Sequence, residues 1–221
     1  LVPGILAGLA SGAVIGAVNG GLVALLNIPS FLVTLGMLGL AAGIAQWITG
    51  SAPQPITDDV YVMIFGGGDF GPVPGLLVWT AVIVALGWVI MNRSRYGRKV
   101  LATGGNPTAA RFTGINTARI KFTVLLVSGI VAAFAGMLYA GRLESGRFQW
   151  GQGDELTVIA AVILGGTSLF GGRGAIIGTL FGSLFMGLVN NGLILAGLDV
   201  AQQQVVRGAI IIAAVALSRK K

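Results

Sequence analysis

The sequence of 221 residues contains no cysteine and no histidine. Without thiols there is neither a disulfide framework nor a thiolate metal site, and without imidazole the other common transition-metal ligand is missing. Metal chemistry is therefore not expected of this chain. Charge is scarce too: 10% of residues are Asp, Glu, Lys or Arg, against roughly 25% in an ordinary soluble domain. Residues 1–57 contain none of the four, while 55% of the whole chain is hydrophobic. Mean hydropathy is +0.89. A chain built this way does not have water as its main solvent, and its first quarter must face lipid or protein.

Two further absences narrow the function. No Gly-x-x-x-x-Gly-Lys-Ser/Thr run occurs, so nothing here cradles ATP phosphates in the Walker manner. The apolar segments also lack the buried carboxylates that mark proton or sodium pathways; Asp154, Glu155 and Asp199 fall at predicted segment ends. The excess of 14 basic over 7 acidic residues gives +7. Nucleic-acid binding would need those cations spread along an exposed face with aromatics between them, whereas here they cluster beside apolar segments.

Crossing a bilayer core about 30 Å thick takes about 20 apolar helical residues. Six segments meet or approach that length: Val2 to Leu26, Phe31 to Thr49, Val73 to Met91, Phe122 to Ala140, Ala175 to Leu195 and Val200 to Leu217. A seventh, Leu156 to Leu164, is too short unless it takes in Asp154 and Glu155 or breaks at Gly165-Gly166. The fold class is thus all-α, a polytopic transmembrane bundle of six to seven spans forming one domain over 1–221. The chain opens at Leu1 inside apolar sequence with no basic n-region. That does not read as a signal peptide, and the expectation is an N-terminally incomplete chain.

Lys and Arg accumulate on the cytoplasmic side of membrane spans. Residues 93–121 hold seven basic residues (Arg93, Arg95, Arg98, Lys99, Arg111, Arg119 and Lys121) and no acid. This loop is expected in the cytoplasm, together with the terminal Arg219-Lys220-Lys221. The loop Ser51 to Pro72 carries Asp58, Asp59, Asp69 and Gly66-Gly67-Gly68 without a cation, and is expected outside.

Glycines recur every four residues at Gly4, Gly8, Gly12, Gly16 and Gly20, and again at Gly174, Gly178 and Gly182. Such ladders leave a groove into which a neighbouring backbone fits closely. They serve either tight packing or a sliding surface.

In the basic loop, Asn106 suits an N-cap, Pro107 the first helical position and Gly114 the left-handed residue after the end. A helix of about two turns is predicted, presenting Arg111 and Phe112 away from the apolar core. It either lies on anionic headgroups or plugs into a soluble partner.

At this loop the sequence resembles a known family. The runs Tyr96-Gly97-Arg98 and Thr103 to Ile115 (TGGNPTAARFTGI) are similar to the permease subunits of bacterial ATP-binding cassette (ABC) importers of the ribose and xylose type. So are Asn27 to Gly36 (NIPSFLVTLG), Ile159 to Gly174 (IAAVILGGTSLFGGRG), Asn190 to Leu193 and Gln203 to Gly208. The resemblance covers nearly the whole chain, although members of that family carry further N-terminal helices and a Gly- and Asp-containing motif absent here.

The resemblance implies a permease, not an enzyme, paired with a second permease subunit in the bacterial inner membrane. Two cytoplasmic ABC ATPases would hold ATP and Mg, a periplasmic binding protein would deliver solute, and this chain would carry no cofactor. It also implies that Gly104 and Gly105, with Asn106-Pro107, Ala109-Ala110, Arg111-Phe112 and Gly114-Ile115, form the segment coupled to the ATPase.

A neutral sugar requires hydrogen-bonding groups without fixed charge, and Ser30, Thr34, Gln46, Trp47, Asn190 and Asn191 are the candidate pathway residues. Each equally suits a bridge between helices. Gly165, Gly166, Thr167 and Ser168 interrupt an apolar run and form a candidate gate, since irregular backbone at membrane depth is tolerated where it lines a cavity or is buried in protein. An ordinary glycine-rich turn would read the same. Arg207 inside the last span either snorkels or pairs with Asp199, and snorkelling alone accounts for it.

By the family resemblance alone, the expected function is import of a monosaccharide, a pentose or hexose. Related permeases carry nucleosides, signalling furanosides or branched-chain amino acids. A self-sufficient secondary carrier or channel and a structural scaffold are the rival readings from other classes.

Overall fold

The structure, a computed structural model, describes residues 1–70 and 73–218. Gly71, Pro72 and the basic cluster Arg219-Lys220-Lys221 lie outside the described residues. The α-helices in chain order are α1 (Val2–Leu25), α2 (Ser30–Thr49), α3 (Asp59–Tyr61), α4 (Gly75–Trp88), α5 (Arg95–Gly105), α6 (Pro107–Phe112), α7 (Thr117–Arg142), α8 (Asp154–Leu164), α9 (Ile176–Leu195) and α10 (Val200–Ser218). Two π-helical stretches, Val62–Gly67 and Val89–Arg93, extend α3 and α4.

The all-α expectation holds. Among the described residues five helices are long and apolar enough to cross a membrane: α1, α2, the run Gly75–Arg93, α7 and α9. In α10 the apolar stretch is Val200–Ala216, and α8 has 11 residues, about 16 Å at 1.5 Å per residue. Both alternatives raised for the short segment occur together: α8 takes Asp154 and Glu155 into its first turn, where the helix dipole favours acids, and it ends at Gly165.

The chain divides into two compact units, residues 1–82 with 116–150 and residues 83–115 with 151–221. In the first, α1 lies along α7 on a glycine seam. A methyl group on Gly16 would stand 2.8 Å from the carbonyl oxygens of Leu125 and Leu126, and one on Gly20 2.8 Å from that of Phe122. A methyl on Gly12 would overlap Ala133, and one on Gly129 would overlap the carbonyl of Gly12. These glycines work as tight packing. Gly4, at the end of the same ladder, meets nothing within 4 Å.

Aromatic rings cluster in this unit. Tyr61, Phe65, Trp79 and Phe134 stack or meet edge to face, with centroids 5.0–6.0 Å apart. Their polar tips are satisfied: the Tyr61 hydroxyl donates to the Met137 carbonyl at 3.0 Å and Trp79 Nε1 donates to Ile64 at 2.8 Å. Short antiparallel ladders, not anticipated from the proline-rich loop, join β1 (Gln54–Pro55) to a strand at Ser145–Gly146, and β2 (Asp69–Phe70) to β3 (Val73–Pro74).

In the second unit α8 and α9 run antiparallel with backbones in contact. A methyl on Gly182 would overlap the Ala161 carbonyl and one on Gly178 the Gly165 carbonyl. Ala160 (0% exposed), Ala161 and Met186 (1%) form the core, covered by Ile210 and Ile211 of α10.

Trp79→Phe keeps the ring stack and removes one hydrogen bond, which is worth about 1 kcal/mol. The expected loss of that size should appear in equilibrium unfolding in mixed micelles. An unchanged midpoint would mean that this hydrogen bond does not contribute.

Candidate functional site

The segment between the third and fourth long apolar helices is more ordered than a loop. Ser94 caps α5 by accepting from the Gly97 N–H at 3.0 Å, which starts a helix the sequence analysis did not anticipate. The signal was present: a serine N-cap followed by Arg95, Arg98 and Lys99 at i, i+3 and i+4, which form one exposed basic face. Arg93 lies over the Trp88 ring at 5.5 Å.

Asn106 closes one helix and opens the next. Its N–H donates to Ala102 at 3.1 Å, ending α5, while its Oδ1 accepts from the Thr108 and Ala109 N–H groups at 3.0 Å each. Pro107 takes the first position of α6. At the far end Gly114 adopts φ +82 and donates to Arg111 at 2.9 Å, and the Ile115 N–H reaches Ala110 at 3.0 Å. The predicted capped helix is present with the predicted caps. Ala110 points inward at 4% exposure, whereas Arg111 is exposed and Phe112 is 88% exposed. Phenylalanine so presented beside a cation has the composition of a protein–protein contact.

The candidate gate is an ordered turn. The Thr167 N–H donates to Val162 at 3.1 Å, and Thr167 Oγ1 accepts from the Ala175 N–H at 3.1 Å. The Ser168 N–H donates to Arg173 at 3.1 Å. Gly166, Gly171 and Gly172 have φ of +88, +89 and +78, a conformation costly for any residue with a Cβ. This turn meets the end of α5. A methyl on Gly104 would stand 3.0 Å from the Gly172 nitrogen, and one on Gly171 would overlap the Gly104 carbonyl. Two predicted segments are thereby brought together, through Gly171 and Gly172 rather than through Gly165 to Ser168.

Three of the six candidate pathway residues, Thr34, Gln46 and Asn190, have side-chain hydrogen bonds. Thr34 Oγ1 donates to the Ser30 carbonyl at 3.0 Å, and Gln46 Nε2 donates to Ser51 Oγ at 3.2 Å. Ser30 opens α2, Trp47 is 84% exposed and Asn191 is exposed. Asn190 Oδ1 accepts from Arg207 Nε at 2.9 Å, and Arg207 Nη2 donates to Gln203 Oε1 at 3.4 Å. This corrects the expectation for Arg207: it is half-buried and held by amides. Asp199, its proposed partner, instead caps α10 in a reciprocal pair. Asp199 Oδ1 accepts from the Gln202 N–H at 2.8 Å, while the Asp199 N–H donates to Gln202 Oε1 at 3.0 Å.

In the first unit, Asp59, Val62, Met63, Gly66–Gly68, Gly141, Arg142 and Glu144 line an open pocket of about 360 Å³, and no candidate pathway residue reaches it. Nearby, the Tyr61 N–H donates to Asp58 Oδ1 at 3.0 Å and holds that carboxyl below the usual range, while burial raises the Tyr61 hydroxyl.

A family model described as branched-chain amino acid transport system, permease component, matches residues 1–215. The chain belongs to this permease family. With five apolar helices of membrane length, it is a multi-pass membrane protein. It is 44% identical over 189 residues to the probable ABC transporter permease protein YphD of Escherichia coli K12, matching 86% of this chain and 57% of the relative. Against the ribose import permease protein RbsC of the same strain it is 41% identical over 221 residues, 97% of this chain and 68% of the relative. Against the galactose/methyl galactoside import permease protein MglC of Haemophilus influenzae the figures are 36% identity, 98% and 66%. The chain thus spans between just over half and about two thirds of the length of these relatives. No solved structure matches it significantly.

A half-buried charged group that loses its hydrogen-bond partner costs about 1.5–3 kcal/mol. Asn190→Leu should therefore lower unfolding stability by that order, with Asn191→Leu, at an exposed position, near neutral. Equal effects at the two positions would deny Asn190 the role of holding Arg207.

Proposed function

We propose that this chain is the membrane-spanning permease of an ABC importer that moves a monosaccharide, a pentose or hexose. The solute is delivered by a periplasmic binding protein, and the chain works beside a second permease subunit in the bacterial inner membrane. ATP and Mg belong to separate cytoplasmic ATPases, for which residues 93–121 are the docking face. Binding and hydrolysis of ATP there shift the docking helix α6, which rocks the bundle between outward- and inward-facing states.

The observation that carries this reading is α6: a short helix fixed at both ends by Asn106 and Gly114, with Ala110 turned in and Phe112 turned out beside Arg111. A rigid, capped helix with an exposed aromatic transmits a push, which an unstructured loop does not. The absence of a Walker sequence from this chain is compatible with an engine in another subunit. The sugar class is supported by the names of relatives matched over nearly all of the chain, ribose for one and galactose or methyl galactoside for another. The family description names branched-chain amino acids, and solute competition separates that reading from the sugar one.

In this reading α10 completes a sixth span, and α8 with the turn after it makes a seventh crossing from a half-length helix and irregular backbone, which membranes tolerate where the backbone is covered by protein.

Copurification with the candidate ATPase is the direct test. Arg111→Glu should weaken association at least about tenfold, equivalent to 1.4 kcal/mol, with membrane insertion intact, and Phe112→Ala should act in the same direction. Undiminished association in both variants would remove the docking role from α6.

A further inference from the structure

We propose that Gly104 and Gly105 on one side, and Gly171 and Gly172 on the other, form the joint through which a docked ATPase acts on α8 and α9. This rests on the importer reading above and names the residues that would carry its central step.

The contact is backbone on backbone. A methyl on Gly171 would overlap the Gly104 carbonyl, one on Gly172 would stand 3.0 Å from the Gly105 Cα, and one on Gly104 3.0 Å from the Gly172 nitrogen. No side chain cushions this surface, so a displacement of one strand of backbone is passed to the other without the slack of rotamer changes. Packed contacts of this kind are bistable rather than continuously deformable.

Both sides of the joint lead directly to elements that matter. Gly105 immediately precedes Asn106, whose side chain caps the docking helix α6. Gly172 is three residues from Ala175, whose N–H is held by Thr167 at the end of the α8 turn. Beyond it, Gly178 and Gly182 of α9 press on the carbonyls of Gly165 and Ala161 of α8. A continuous series of glycine contacts therefore runs from α6 to the paired half-helix α8 and span α9.

A fifth residue bears on the same place. Thr103, next to Gly104, is 5% exposed, and its Oγ1 has no hydrogen-bond partner among the described residues. A buried hydroxyl left unpaired is unfavourable, so this end of α5 is held less firmly than its close backbone contact alone implies.

Hydrogen exchange on the ATPase-bound transporter, with and without ATP and vanadate, tests the joint without knowledge of the solute. In the native protein, nucleotide should change exchange at residues 95–115 and at residues 165–178. In Gly171→Ala the first response should persist and the second be lost. Gly104→Ala, which introduces no left-handed strain, should reduce the second response in the same way. Gly197→Ala shares the positive φ of Gly171 but meets nothing within 4 Å, and should respond like the native protein.

A response at 165–178 that survives both Gly171→Ala and Gly104→Ala overturns the joint, as does a native protein that responds at 95–115 alone. Loss of the response in Gly197→Ala as well assigns the effect to general strain and also overturns it. Absence of any nucleotide response at 95–115 in the native protein overturns the importer reading itself.

Discussion

In a bilayer an apolar side chain gains nothing by leaving lipid for protein, so the hydrophobic effect that compacts soluble domains does not hold these helices together. What remains is a few hydrogen bonds between helices and, more widely, van der Waals contact between backbones that come close enough to touch. Here that closeness comes from glycine, which makes up 37 of 221 residues. The seam of Gly12, Gly16 and Gly20 against Gly129 and its neighbours fixes α1 on α7, and Gly178 and Gly182 fix α9 on α8. Side chains such as Phe181, Leu188 and Val205, which a soluble protein would bury, remain exposed on these helices.

The same constraint explains which features were legible in the sequence. Helix existence was readable because a bilayer demands long apolar runs, and the ends of α2 and α9 fall within a residue of expectation. Caps were readable because they are local: Asn106, Pro107 and Gly114 lie within one nine-residue segment. Helix α5 is less legible because its basic face matches the charge bias of a cytoplasmic loop, although Ser94 signals a start. Contacts between distant segments were not readable at all. Nothing in the order of residues says that Arg207 meets Asn190 rather than Asp199, or that Gly104 rests against Gly171, because both depend on how helices far apart in sequence are set side by side.

The functional residues follow a similar division. The capped helix α6 was legible from its own local signals, and the structure fixes it at both ends with an exposed aromatic. The candidate pathway residues were chosen for polarity alone. Thr34 turns out to have its partner in its own helix, Gln46 in the turn just after its helix and Asn190 in a neighbouring helix, since polar groups in lipid must be satisfied within the protein. Polarity in an apolar helix therefore serves local hydrogen bonds as readily as solute contacts, and geometry is needed to tell them apart.

Alanine is the better helix former by about 0.5–1 kcal/mol, so a glycine kept for close contact and one without a neighbour respond to alanine with opposite sign. The decisive measurement is the unfolding free energy of Gly12→Ala, Gly16→Ala and Gly129→Ala beside Gly21→Ala, Gly36→Ala and Gly136→Ala, the last three at positions with nothing within 4 Å. Glycine-mediated contact predicts destabilisation in the first three and neutral or improved stability in the others. A common sign across all six would contradict it.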